Sequence, residues 1–412
     1  MTYNRVPLAL RSGTATFGVC VVGYMTANLI PLMIIVMVDE LGMSSARAGT
    51  IMTMCLLACA LTCLFVSRWA THASRYHLGR IGLVVMAIGF AGTAFSTTPV
   101  MATVFVIIGG VGSGGAVAVG GASLAAFINP NRVSSICGLV NRIVVTIVLA
   151  LVPIVGLNMT NAFGIVAVLA LAAAVTVTWL PMPPSASEES WETSSLKEVS
   201  SLSPRMMTVA GVTLLCCFAL WAVGEDALWA VSGVMGQEQA ALTDHQMGLA
   251  LSLSTAGGIA AALALTVIGA RFGRAIPVGV LLVAGGVLKL AATLSTSAIP
   301  YLAIIVAWNT LYVAAFIYII AIAAGLDPSG RWSSSILGTY LIGSAFAPMF
   351  GTFLAETAGY QVLGVVLAAF SFVLLVPLVV IARLSTRVEK AHCEDRETQA
   401  FKAAPSDVLN AF

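Results

Sequence analysis

Few ionisable residues fall inside the apolar stretches of this 412-residue chain, and those few are the first candidates for chemistry. Glu225 and Asp226 stand side by side in the run Phe218–Val231. A charge at bilayer depth costs roughly 2.5–3.5 kcal/mol on insertion scales, so such groups usually serve a proton, a substrate or a partner of opposite sign. On a helix Trp221, Glu225 and Trp229 recur every four residues and share a face. Asp226 points about 100° away from Glu225. The spacing predicts one acid between two indoles, looking into a cavity, and a second acid turned toward a neighbouring helix. Lys289, at similar depth in another stretch, is the expected ion-pair partner of Asp226. Glu225 is then free to load and unload a proton. Arg142 lies about nine residues, roughly 14 Å of helix, in from the nearest polar boundary. Its readings are a substrate anion, one of the two acids, or backbone carbonyls.

These groups need helices to carry them. Of the residues, 59% are hydrophobic and only 9% charged, with a mean hydropathy of +1.01. Soluble domains carry about 25% charged residues, so the chain reads as an all-α polytopic membrane protein. A net charge of +2 gives no sign of nucleic-acid binding. Four histidines without metal-ligand spacing, and no phosphate-binding loop, argue against a metal enzyme and against direct use of ATP. No cofactor is expected. Cys55, Cys59 and Cys63 form a stripe of small residues suited to close helix packing.

A span needs about 20 apolar residues. Twelve are expected, at about 14–38, 47–67, 79–97, 100–127, 133–157, 161–180, 206–233, 245–270, 275–295, 299–325, 332–356 and 359–383. They divide as two six-helix bundles, 1–180 and 206–384, joined by a linker at 181–205 rich in Pro, Ser and Glu. The linker holds a short amphipathic piece around Trp191, Leu196 and Val199. The polar tail 385–412 is expected to be disordered. The first apolar run is too long for a signal-peptide core.

Lys and Arg choose the side. Sixteen fall in the segments that share a side with the termini, and Arg47 alone falls opposite, so both termini and the linker are expected in the cytoplasm. The two halves echo each other. Asn129-Pro130-Asn131-Arg132, followed by serines, opens span five. Asp327-Pro328-Ser329-Gly330-Arg331, followed by serines, opens span eleven. Two parallel six-span repeats form a transporter architecture with a site between the halves.

With these features the chain resembles the major facilitator superfamily, in span count, central linker and repeat. The family's inner-loop motif, Gly-x-x-x-Asp-Arg-x-Gly-Arg-Arg, is similar to Arg271-Phe272-Gly273-Arg274, with Ala270 where the family has Asp. The first copy is degenerate at Ser67–Arg75. A fourth-span glycine run is present at Gly109–Gly115. The resemblance implies that spans one, four, seven and ten line a central cavity. Tyr24 and Asn28, then Trp221, Glu225 and Trp229, then Trp308, Asn309 and Tyr312 become candidate substrate contacts, beside Arg142. Indoles beside a carboxylate suit a cationic or amphipathic ligand. Arg132, Arg271, Gly273, Arg274 and Arg331 are expected to shape the inner gate, with Asp226 and Lys289 as a structural pair.

The expected protein is not an enzyme. It is a monomeric secondary transporter of the cytoplasmic membrane, coupled to protons through Glu225, and its partners are a small molecule, protons and the bilayer. Export of an amphipathic or cationic compound is the first reading. Uptake of a small organic acid, with Arg142 reading the carboxylate, is the second. A transporter-like receptor, with binding but no flux, is a third.

Overall fold

Inside hydrocarbon every backbone amide must find its partner within the protein, and a helix supplies all of them locally. The computed structural model describes residues 5–70, 75–182, 204–268, 271, 273–326 and 331–403, and these are almost wholly helical. The helices are α1 (Leu10–Leu41), α2 (Ser45–Ala70), α3 (Arg75–Ala94), α4 (Pro99–Leu124), α5 (Pro130–Val155) and α6 (Met159–Thr176), the last extended by a 3₁₀ turn, Val177–Trp179. The second half holds α7 (Pro204–Glu238), α8 (Asp244–Ile268), α9 (Ala275–Leu294) and α10 (Ala298–Leu326). A last helical run, Arg331–Ala403, breaks at Gly359, whose φ of 84° lies in the left-handed region. We treat its two parts, 331–358 and 360–403, as α11 and α12. Its apolar portion, Ser335–Glu389, has 55 residues, close to three times what one crossing needs, so it crosses twice.

One expectation changes here. The helix of α12 continues to Ala403 and so enters the segment expected to be disordered. No Pro or Gly occurs between Pro377 and Pro405, and Glu, Lys, Arg, Gln and Ala between them favour helix. The linker with its amphipathic piece, at 183–203, and the last residues, 404–412, lie outside the described residues.

Within the first bundle, the glycines of α4 allow three helices to pack almost backbone to backbone. A β-carbon at Gly110 would strike the carbonyl of Cys55, and one at Gly114 the carbonyl of Cys59. A β-carbon at Gly112 would strike Met86 of α3. The cysteine stripe of α2 is therefore a packing surface.

The bundles meet at the end away from the chain termini. There α1 packs on α7 where Gly233 faces Pro31 and Ile35, and α5 packs on α8 where Gly248 faces Pro153. Along α2 and α11, Gly49 faces Pro348 and Thr352. Hydrogen bonds seal these seams. Ala46 N donates to Glu356 Oε2 at 2.7 Å, Met349 N to Thr53 Oγ1 at 3.0 Å, and Ser252 Oγ to the Thr146 carbonyl at 2.9 Å. Toward the end that bears the termini the bundles part. Tyr24, midway along α1, is 40% exposed there. Among the described residues the hydrogen bonds between the bundles thus lie toward the distal end.

Candidate functional site

Helix α7 carries both acids, and the two face different surroundings. Glu225 is buried within the second bundle. Lys289 Nζ, on α9, donates to its Oε1 at 2.6 Å, and Trp308 Nε1, on α10, donates to Oε2 at 2.7 Å. This reverses the expected pairing of Lys289 with Asp226, and Glu225 is not a free cavity-facing acid. The reason is the rotation of α7. The face that holds Trp221 and Glu225 points at the seam of α9 and α10, and Trp221 is only 1% exposed. Trp308 and Asn309 are also buried, so none of these four lines the open space. Trp229 is half-buried and packs in the cluster shared with α1.

Asp226, one residue on, is half-buried and meets hydroxyl groups in place of a cation. Tyr340 Oη donates to Oδ2 at 3.0 Å, and Tyr312 Oη approaches Oδ1 at 3.4 Å. The two phenols bond to each other at 2.6 Å, and Ser344 also hydrogen-bonds the carboxylate. Aromatic packing fixes this clamp. Tyr312 stacks on Trp221 with ring centroids 5.2 Å apart, Trp221 stacks on Phe218 at 5.6 Å, and Phe316 meets Tyr340 edge-on at 5.0 Å. Two groups nearby have unused polar capacity: Trp221 Nε1 and Asn309 Oδ1 are buried without a hydrogen-bond partner.

Arg142 enters from the other bundle. It is half-buried on α5 and reaches toward α8, where its Nη1 lies 3.7 Å from the place a β-carbon on Gly258 would take. Its charge is also close to Tyr312. Among the described residues it makes no ion pair and no hydrogen bond. The carbonyl oxygen of the Asn141 side chain and the hydroxyl of Thr146, beside it on α5, are likewise without partners. On α1, Asn28 Nδ2 donates to the Tyr24 carbonyl at 2.9 Å, and both residues lie on the same side of the helix. Where α5 of the first bundle meets the second, the structure therefore sets a guanidinium with no ion pair or hydrogen bond among the described residues near Tyr312, one of the two phenols that hold the Asp226 carboxylate.

At the terminal end Arg274 joins three helices of the second bundle. Its guanidinium pairs with Glu389 at 2.9 Å and donates to Ser385 Oγ at 3.0 Å, while Ser385 Oγ donates to the Ile322 carbonyl at 2.8 Å. Gly273 has φ of 64°, which a glycine adopts without steric cost. Arg132 and Arg271 are exposed, and the side chain of Arg331 lies outside the described ones. In the first bundle Arg75 is buried and donates to the Pro181 carbonyl at 2.9 Å, which ties α3 to the end of α6.

Sequence reasoning missed Tyr340 and Ser344. Both sit on α11, which the family resemblance does not count among the cavity-lining spans. A tyrosine inside an apolar span, whose hydroxyl must find a partner, was the available signal.

Comparisons with known proteins agree with this architecture. The chain resembles a POT family transporter solved in complex with 5-aminolevulinic acid, at TM-score 0.71 and 14% identity over 94% of this chain and all of that one. It also resembles a D-xylose–proton symporter, at TM-score 0.65 and 14% identity over 87% of this chain and 96% of that one. A human organic anion transporter matches at TM-score 0.62 and 14% identity, over 89% of this chain and 99% of that one. At such identities the likeness establishes the fold. No curated protein matches the chain in sequence. The family model described as Major Facilitator Superfamily matches residues 15–331, and the chain belongs to that superfamily of multi-pass membrane transporters, not enzymes.

Proposed function

We propose that this protein is a secondary active transporter that moves a small organic anion together with protons, by alternating access of its two bundles. The observation that carries the reading is Arg142. An arginine at this depth without an ion pair or hydrogen bond among the described residues is costly to keep, which leaves its guanidinium for a ligand. A carboxylate is the natural complement of its planar donor fork. Asp226, held by Tyr312 and Tyr340 with no cation beside it, is the group that takes up and releases the proton. Glu225 is committed to Lys289 and Trp308, which fits a structural role. The similar structures include a proton symporter and an organic anion transporter, which supports this class of activity.

A second reading keeps a specific observation of its own. Asp226 lies among Tyr312, Tyr340 and Phe316, and an acid ringed by aromatics suits an organic cation, exported against protons. One experiment separates the two. Purified protein is heated with a panel of small carboxylates and a panel of quaternary ammonium compounds, since a ligand of the native state raises the melting temperature. The anion reading expects stabilisation by members of the first panel, lost in Arg142→Gln and retained in Asp226→Asn. Stabilisation by the ammonium panel alone, lost in Asp226→Asn, establishes the second reading and overturns the first.

A further inference from the structure

Helices α5 and α6 both pack on α1 but hardly touch each other. Below their short connection they splay and leave α1 as the floor of a groove of about 700 Å³. Gly13, Gly18 and Val21 form the floor, with Val144 on one wall and Ala173 and Thr176 on the other. The lining is almost entirely apolar. The groove runs toward the terminal end. There residues 5–8 lie against the α4–α5 connection, with Val6 N donating to the Ala126 carbonyl at 3.0 Å and Ile128 N to the Val6 carbonyl at 3.1 Å. This places Leu8 as a lip shared by the groove and by a second cavity of about 320 Å³, which Asn129 and Arg132 line.

The mouth is basic. Arg132 is exposed and has no ion-pair partner among the described residues. On the floor helix, between Leu10 and Gly13 of the lining, the Arg11 guanidinium lies 5.9 Å from the ring centre of Trp179, which is 43% exposed. Indoles and arginines at the end of an apolar span mark headgroup depth. Basic pockets at that depth between helices suit anionic lipid headgroups. We infer that this cleft is a binding site for an anionic phospholipid, with an acyl chain on α1 between α5 and α6 and the phosphate between Arg132 and Arg11. The charge at the mouth selects the headgroup, and the floor glycines give the chain its depth. The groove shares no lining residue with the surroundings of Arg142 and Asp226, and the proposal does not depend on which substrate is carried.

The test is native mass spectrometry of the purified full chain in micelles, titrated with phosphatidylglycerol and separately with phosphatidylcholine. The expected result is a discrete phosphatidylglycerol adduct, retained several-fold more strongly than phosphatidylcholine. Ala172→Phe fills the groove from an exposed position and should abolish the adduct at an unchanged melting temperature. Arg132→Gln should leave lipid bound but erase the headgroup preference. Equal retention of both lipids by the unaltered protein overturns the site. So does an undiminished adduct in Ala172→Phe, or a dimer in place of lipid adducts. If Ala172→Phe does not fold, the lipid comparison and Arg132→Gln decide the matter by themselves.

Discussion

Glu225 and Asp226 are neighbours in the chain, but Glu225 has a cation and Asp226 does not. Lys289 and Glu225 form a buried pair at 2.6 Å, with the indole of Trp308 as an additional donor. Breaking such a pair from one side leaves a bare charge in low dielectric, at about 3–5 kcal/mol. Lys289→Met should therefore lower the melting temperature of the purified protein strongly. Adding Glu225→Gln to it should recover much of the loss. If the double variant is no more stable than Lys289→Met, Glu225 does not depend on Lys289. Asp226→Asn, by contrast, retains its phenol contacts and should leave stability nearly unchanged.

At the scale of helices, the close contacts of the distal end depend on the absence of side chains. At Gly49 a β-carbon would collide with Thr352 and come within 2.7 Å of the Pro348 carbonyl. Gly49→Val should therefore hold α2 away from α11 and bias the molecule against the closure seen here. Spin labels at Arg47→Cys and Thr357→Cys, one on each helix, read that seam directly. The account expects their separation to grow by several ångströms in Gly49→Val, with slower transport. An unchanged distance would mean that α2 and α11 shift along each other without opening. The helices themselves were legible from apolar run length, because a bilayer admits little else, and Gly359 punctuates the last pair. Which face of each helix looks inward was not legible. In α7 apolar residues surround the helix on every side, since lipid and protein neighbours ask for the same residue types. The two acids were found from sequence, while their partners were exchanged. Arg142 was found as a charge within an apolar span with its partner left open, and the clamp on Asp226 needed Tyr340 from α11, which no spacing in α7 could indicate.

For the whole molecule, the seams sealed at the distal end fit one station of the alternating-access cycle we propose. From the distribution of Lys and Arg we propose that the terminal end faces the cytoplasm. Reporter fusions at Ser190 and Phe412 should both report the cytoplasmic side, and an external signal from either would invert the orientation. The central claim is that Arg142 and Asp226 together couple an organic anion to a proton. The most direct measurement is the internal pH of proteoliposomes as small carboxylates, beginning with lactate and succinate, are added outside under an inward proton gradient. For a transported carboxylate the account predicts an internal acidification that follows uptake in the unaltered protein. Arg142→Gln should show neither uptake nor acidification. Asp226→Asn should exchange the carboxylate without moving protons and without uphill accumulation. Uphill, proton-linked accumulation by Asp226→Asn at the rate of the unaltered protein would contradict the account.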